Sequence, residues 1–242
     1  MYLLIPAAGS GRRMGADRNK LLLTVQGQPI LSLTLKAADQ AQSITAIGII
    51  GQPQDESVWI QMLNNLSLST PVSLIAGGAT RQESVYRGVS YLQRQPQPPE
   101  FVLIHDGARC LATAQLFDRC SAFLQNSGSP HQGMVAAIPV KDTIKLATPA
   151  NLSKGSLTVE STPDRSRLWA AQTPQGFPLD ALLKAHEQAI QASWEVTDDA
   201  ALFEKMGWEV AIVEGEETNI KLTTPLDKIL AEHILANRND SP

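Results

Sequence analysis

The stretch "IPAAGSGRRMGADRNKLL", residues 5–22, gathers small residues and cations in a pattern that suits a polyanion. Gly9, Gly11 and Gly15 leave backbone amides bare, and Arg12, Arg13 and Lys20 add positive charge within one loop. Glycine lets the backbone approach an anion closely, and charged donors make the stronger hydrogen bonds. Two named phosphate loops fail on spacing. A Walker A loop would need glycine five residues after Gly9, where Met14 stands, and lysine after Gly15, where Ala16 stands. A dinucleotide fingerprint starts well with Gly9 and Gly11 but has Met14 at its third glycine. Gly51 and Gln52 stand where an acidic residue would take a ribose. A triphosphate is the anion that would use this much charge, with a solvated surface loop as the plain alternative.

Other groups with chemistry are scattered. In "LIHDGAR" (103–109), Asp106 stands at a strand end, where one carboxylate suits a Mg²⁺ that keeps phosphate and water ligands, or simply caps a turn. Arg109 stands nearby for an anionic acceptor. "AGGATRQES" (76–84) puts Gly77 and Gly78 between a strand and a helix, with Ser84 in the helix's first turn, so a base pocket and a plain tight turn are both open. Arg165, Thr173 and Lys221 lie far apart in sequence. No Ser-His-Asp or Cys-His set presents itself among the four histidines, and His105 should, on strand alternation, point away from Asp106.

Elements that would position these residues are legible. Apolar runs at "YLLIP" (2–6), "ITAIGII" (44–50), "VSLI" (72–75), "FVLIHD" (101–106) and "GMVAAIPV" (133–140) alternate with helical segments. That alternation predicts an α/β fold, a mostly parallel twisted sheet with helices on both faces. Thr80 and Glu83 form a capping box. Thr197 reads as the cap of a helix ending near Gly207. Thr224 caps a C-terminal covering helix with Leu226, Ile229, Leu230 and Ile234 along its apolar face. From 141 to 167 the chain is polar, with alternating pieces at "TIKLA" and "SLTVE", which predicts a projecting β-hairpin arm. The expected division is a single α/β domain over 1–140 and 168–238, the arm at 141–167 and a tail at 239–242.

Composition bounds the function. With 43% hydrophobic and 18% charged residues over 242 positions, the chain can bury a substantial core. A net charge of −4 argues against a general nucleic-acid or anionic-membrane binder, so any anion site is local. Cys110 and Cys120 suggest neither a disulfide framework nor a zinc site, and no apolar run approaches a membrane span or a secretory signal. A cytoplasmic enzyme is the expectation.

Taken in order, "PAAGSGRRMGADRNK", "GGATRQESV", "HDGAR", "PVKDTIK", "TPDRSRLW", "QTPQGF", "VTDDA" and "NIKLTTP" resemble the motif series of the 2-C-methyl-D-erythritol 4-phosphate cytidylyltransferase family, from residue 5 to about 226. The resemblance implies a nucleotidyltransferase fold and transfer of CMP from CTP to methylerythritol phosphate, with Mg²⁺, in a homodimer joined through the arm. It implies that Ala7, Ala8, Gly9, Gly78, Arg81 and Ser84 serve the nucleotide. Arg13 and Lys20 would serve the triphosphate, Asp106 the metal, and Ala108 and Arg109 the acceptor. Thr143 and Arg165 would reach the neighbouring subunit's site, while Thr173, Thr197 and Lys221 match acceptor-side positions, with Arg165 and Lys221 also expected to act in catalysis. Asn19 and Gly107 depart from the family's usual Pro and Ala, and neither is expected to touch a charged group. A ribitol or sugar-phosphate nucleotidyltransferase, or a non-catalytic nucleotide-binding module, would share part of the series.

Overall fold

The computed structural model describes residues 1–7, 19–126, 132–148 and 157–239. Its centre is a sheet of strands β1 (Tyr2–Pro6), β4 (Ala46–Gly51), β5 (Val72–Ala76), β6 (Phe101–Ile104), β7 (Gly133–Pro139), β10 (Trp169–Pro178) and β11 (Val210–Glu214), ordered β11-β7-β10-β6-β1-β4-β5. All neighbours pair parallel except β10, which runs antiparallel to both β6 and β7, while β2 (Thr24–Val25) and β3 (Gln28–Pro29) form a separate antiparallel ribbon. The expected mostly parallel α/β sheet is therefore present.

Alternation along the strands sends side chains to two cores. Leu3, Ile5, Ile47, Ile49 and Leu103 pack under α1 (Ile30–Asp39), α2 (Glu56–Asn64) and α4 (Ala114–Gln125). Leu4, Ile50, Val102, Ile104 and Phe177 pack under α3 (Arg81–Gln93), α5 (Leu179–Gln191) and α6 (Ala200–Lys205). Burying large aliphatic side chains on both faces at about 1.5–3 kcal/mol each gives the sheet edge a rigid base.

The helix starts follow from their caps. Thr80 Oγ1 accepts from Glu83 N at 3.0 Å, and Glu83 Oε2 accepts from Ala79 N at 2.7 Å, closing a capping arrangement at α3. Thr197 is no such cap, contrary to the sequence reading. Helix α6 starts at Ala200, and Asp198 Oδ1 accepts from Ala201 N at 3.1 Å, because a carboxylate one residue on sits closer to the free amides. Gly207 does end that helix, at φ +73°.

Two further expectations are corrected. Helix α7 (Pro225–Asn239) buries Ala231 fully, with Ile234 and Leu235 partly buried, while Leu226, Ile229 and Leu230 face solvent. Alanine has no bulk to hold the helix off, so the face through 231 packs inward and the larger neighbours turn outward. The helix also runs through Asn239, past the expected start of the tail. Strands β10 and β11 were not foreseen. The polar, proline-containing run of β10 does not read as a central strand.

Strands β8 (Leu146–Ala147) and β9 (Val159–Ser161) form the antiparallel hairpin expected between 141 and 167. It is less hydrophilic than its composition suggests, since Ile144, Leu146, Leu157 and Val159 all stand exposed.

Candidate active site

The parallel strands end on one edge, and the loops leaving them carry the groups with chemistry, as open α/β sheets require. Ala7 follows β1 and donates its amide to Ile50 O at 2.7 Å. Ala8, Gly9 and Arg13 lie outside the described residues. The described residues resume at Asn19, whose Nδ2 donates to Ala7 O at 2.6 Å and to Asp55 Oδ2 at 2.9 Å. Asn19 therefore does touch a charged group, and is itself tied to the end of β1. Lys20 follows, and its Nζ donates to Leu222 O at 3.4 Å, one residue from Lys221.

Asp106 is the centre of the site. Its Oδ2 lies 2.6 Å from Lys221 Nζ and its Oδ1 3.3 Å from Arg81 Nε. Burial alone would raise its pKa, but Arg81, Lys221 and Arg109 outweigh that and hold the carboxyl well below the usual carboxylate range. Arg81 reaches on with Nη1, 2.9 Å from Asp199 Oδ2. Desolvation works against the guanidinium, yet Asp199 and Asp106 together raise its pKa, so it stays charged. Arg81, expected against the nucleotide, thus pairs with both Asp106 and Asp199.

Thr173 arrives from β10. The register of β10 against β7 shifts between Ala171 and Gln175, and in that irregular stretch Thr173 Oγ1 accepts from Asp106 N at 3.0 Å and sits 3.1 Å from His105 Nδ1. His105 Nε2 lies 3.1 Å from Arg109 O, and its ring meets Phe117 edge-on. Burial pushes the imidazole pKa down to about 4. It is thus a neutral, occupied core group facing away from Asp106, as alternation predicts.

Arg109 donates Nη1 to Asn219 O at 2.7 Å and Nη2 to Ala171 O at 3.3 Å; burial lowers its pKa, with Asp106 opposing. Ala108 is buried and its carbonyl accepts from Leu222 N, which fastens the Lys221 loop to the Asp106 loop. On the far side, Gly78 N donates to Ser84 Oγ at 3.0 Å, and Ser84 Oγ donates to Thr80 O at 2.8 Å. Ser84 is fully buried, so its hydroxyl shapes the glycine turn from beneath. A Cβ on Gly78 would come within 2.4 Å of Glu83 Cδ, so this close approach needs glycine.

Thr197 is exposed in the loop that ends at Asp199. Arg165 and Thr143 are not brought to this cluster within the chain. Arg165 is exposed and donates Nη1 to Lys141 O at 2.8 Å, while Thr143 stands exposed at the base of the hairpin.

No group of three or more His, Cys, Asp or Glu gathers among the described residues, so a cation caged by protein alone does not fit. A single hard carboxylate at Asp106 does fit a Mg²⁺ carried mainly by phosphate and water. Sequence reasoning missed Asp199, Gln172, Gln175 and Asn219. Gln172 and Asn219 are buried and tie β10 to the loop after β11, through Asn219 Nδ2 to Gln172 Oε1 at 3.0 Å and to Thr173 O at 2.9 Å. The adjacent carboxylates in "VTDDA" were the one available signal, and nothing local distinguishes the buried Asp199 from its neighbour.

Known proteins resemble this chain in sequence and fold. The family model described as 2-C-methyl-D-erythritol 4-phosphate cytidylyltransferase matches residues 1–237. A curated relative of that name from Synechococcus sp. is 63% identical over 238 residues, covering 98% of each chain. Another, from Acaryochloris marina, is 58% identical and covers 98% of this chain and 95% of its own. Among solved structures, the 4-diphosphocytidyl-2C-methyl-D-erythritol synthase of Anaerococcus prevotii superposes with a TM-score of 0.81 at 29% identity, covering 97% of both chains. The 2-C-methyl-D-erythritol 4-phosphate cytidylyltransferase of Thermus thermophilus gives 0.74 at 31%, over 97% of this chain and 98% of that one. The chain belongs to the 2-C-methyl-D-erythritol 4-phosphate cytidylyltransferase family.

Proposed function

We propose that this protein transfers CMP from CTP to 2-C-methyl-D-erythritol 4-phosphate, releasing pyrophosphate and forming 4-diphosphocytidyl-2-C-methyl-D-erythritol for isoprenoid precursor synthesis. The observation that carries the reading is the cation-rich rim at the sheet's carboxyl edge. There Lys221, Arg81 and Arg109 surround Asp106, and Lys20 reaches the adjoining residue.

The chemistry asks little of an acid or base. The acceptor phosphate is already an anion, so it attacks the α-phosphorus in line while pyrophosphate leaves. This agrees with His105, buried, neutral and engaged through both ring nitrogens. Catalysis is then positioning and charge stabilisation, for which preorganised donors contribute roughly 3–4 kcal/mol each. Lys20 and Arg13 are assigned to the triphosphate, with Ala7, Ala8, Gly9 and Gly78 offering backbone to the nucleotide. Lys221, Arg109, Thr173 and Thr197 are assigned to the acceptor. Asp106 is the carboxylate that would face Mg²⁺. The ion, when bound, withdraws charge from phosphate oxygens.

The arm makes the active unit a homodimer. Its short hairpin cannot bury Leu146, Leu157 and Val159 within the chain, and a two-stranded ribbon is marginal alone. Arg165 and Thr143, on the same segment, are assigned to the partner's site.

A pyrophosphate-release panel crossing four nucleoside triphosphates with methylerythritol phosphate, ribitol phosphate and hexose phosphates tests the reading. CTP with methylerythritol phosphate should exceed every other pair by about 10²-fold or more, the discrimination available to a site with matched hydrogen bonds. A preference for ribitol phosphate would overturn it. Asp106→Asn should lose most Mg²⁺-dependent turnover, and an unchanged Mg²⁺ titration would remove the metal from Asp106.

A further inference from the structure

Behind the rim lies a carboxylate that no substrate can touch. Asp199 is 1% exposed, yet it is held ionised, since Arg81 and His186 outweigh the burial that would raise its pKa. From Asp199 the charges alternate outward. Arg81 Nη1 stands 2.9 Å from Asp199 Oδ2, Arg81 Nε 3.3 Å from Asp106 Oδ1, and Lys221 Nζ 2.6 Å from Asp106 Oδ2. Asp199 is also tied to the strand pair that presents Asp106. Its own amide and that of Ala200 both donate to Gln175 Oε1 at 3.1 Å, and Gln175 pairs with Ile104 at the end of β6. Gln175 Nε2 in turn donates to Asp198 Oδ2 at 2.8 Å, and His186 Nε2 lies 3.4 Å from Asp199 Oδ1.

We propose that Asp199 is a positioning residue for the reaction: it holds the Arg81 guanidinium edge-on against Asp106 and thereby fixes the Asp106–Lys221 pair at the acceptor side of the site. The reaction part rests on the cytidylyltransferase reading. A planar guanidinium spans two carboxylates through separate nitrogens, which an ammonium cannot do. Among the described residues, the charges that face Asp106 are Arg81, Lys221 and Arg109, with Asp199 behind Arg81. Removing Asp199's charge leaves Arg81 Nη1 without its carboxylate, so the guanidinium is no longer held edge-on against Asp106. If Asp199 served the fold alone, the folded Asp199→Asn protein would keep its kcat/KM or lose it independently of Arg81, whereas a positioning residue acts on kcat/KM only through Arg81.

The test compares wild type, Asp199→Asn, Arg81→Met and the double variant by kcat/KM with CTP and methylerythritol phosphate. Asp199→Asn should fall about tenfold, and the double variant should match Arg81→Met within about twofold, because the two act as one unit. Wild-type activity in Asp199→Asn, or a double-variant loss equal to the product of the singles, would overturn the proposal. If Asp199→Asn does not fold, Arg81→Lys carries the test. It spans only one carboxylate, so it should fall as far as Arg81→Met, and activity within twofold of wild type would overturn the bridging role.

A second readout does not depend on turnover. The Arg81 Nε–Hε signal of ¹⁵N-labelled protein, assigned by its loss in Arg81→Met, should exchange with water at least about tenfold faster in Asp199→Asn, as expected when a held proton is released to solvent. Unchanged exchange would overturn the proposal even if the substrate panel fails, while a failed panel with faster exchange would remove only the reaction assigned to the site.

Discussion

The Asp106 cluster and the β8–β9 arm are opposite solutions to charge and apolar surface. In the cluster Arg81 and Lys221 face the carboxylates of Asp106 and Asp199 within the same chain, and Asp199 is wholly buried. In the arm the apolar side chains of Leu157 and Val159 are 60% and 62% exposed, and Arg165 touches only a backbone carbonyl. A finished electrostatic network needs nothing from outside to hold its geometry. An exposed hairpin with aliphatic side chains is incomplete until something covers it. The difference teaches that the described part of the rim is held in place by the single chain, whereas the arm leaves apolar surface open for the partner copy proposed above.

Lys20→Ala gives the largest expected effect on that contrast: kcat should fall about 10²–10³-fold with the fold intact, because its ammonium acts on charge that develops at the phosphates. Steady-state kinetics check it. Unchanged kcat with a raised KM for CTP would move Lys20 from transition-state to ground-state binding.

The arm is broken instead by Leu157→Asp with Val159→Asp. Light scattering should show monomers and turnover should drop about tenfold or more, the order set by losing a charged hydrogen bond of ~1.5–3 kcal/mol from Arg165. Fully active monomers would make the arm dispensable. Complementation sharpens the point. Lys20→Ala and Arg165→Ala proteins, each nearly inactive, should regain roughly a quarter of wild-type activity when unfolded and refolded together, by random assortment in a two-fold dimer. A mixture that stays inactive despite verified subunit exchange would place Arg165 in its own site.

The smallest effect concerns acid. Asp106 and Asp199 titrate below their unfolded value of about 3.9, so the stability they add is present above that pH and is lost as pH falls below it. Thermal midpoints of wild type should therefore decline more steeply below about pH 4 than those of Asp199→Asn, which has one such group fewer. Equal slopes would mean that Asp199 carries no linked stability.

Much of this was legible in the chain. The short continuous apolar runs announced β1, β4, β5, β6 and β7, because a strand buried on both faces has to be apolar throughout. The Thr80 cap, the Gly207 stop and the hairpin between 141 and 167 were equally local, since a turn or cap is decided by neighbours in sequence. Lys20, Asp106, Arg109 and Lys221 were singled out by residue type and motif, and the fold brings Lys20 to the carbonyl of Leu222 and Lys221 to Asp106.

What tertiary structure decided were the choices that depend on distant partners. Strand β10 carries Gln172, Thr173, Pro174 and Gln175, residues that fit a central strand only because the shifted register gives their polar groups buried partners from β6, α6 and the loop after β11. The inward face of α7 was set by how closely Ala231 lets it approach, which no periodicity within the helix reveals. The sequence by itself determined which residues could carry charge to the sheet edge. Only the fold decided that Arg81 turns its guanidinium between Asp106 and a buried Asp199, because an ion pair 118 positions apart in sequence is chosen by desolvation and distance in three dimensions.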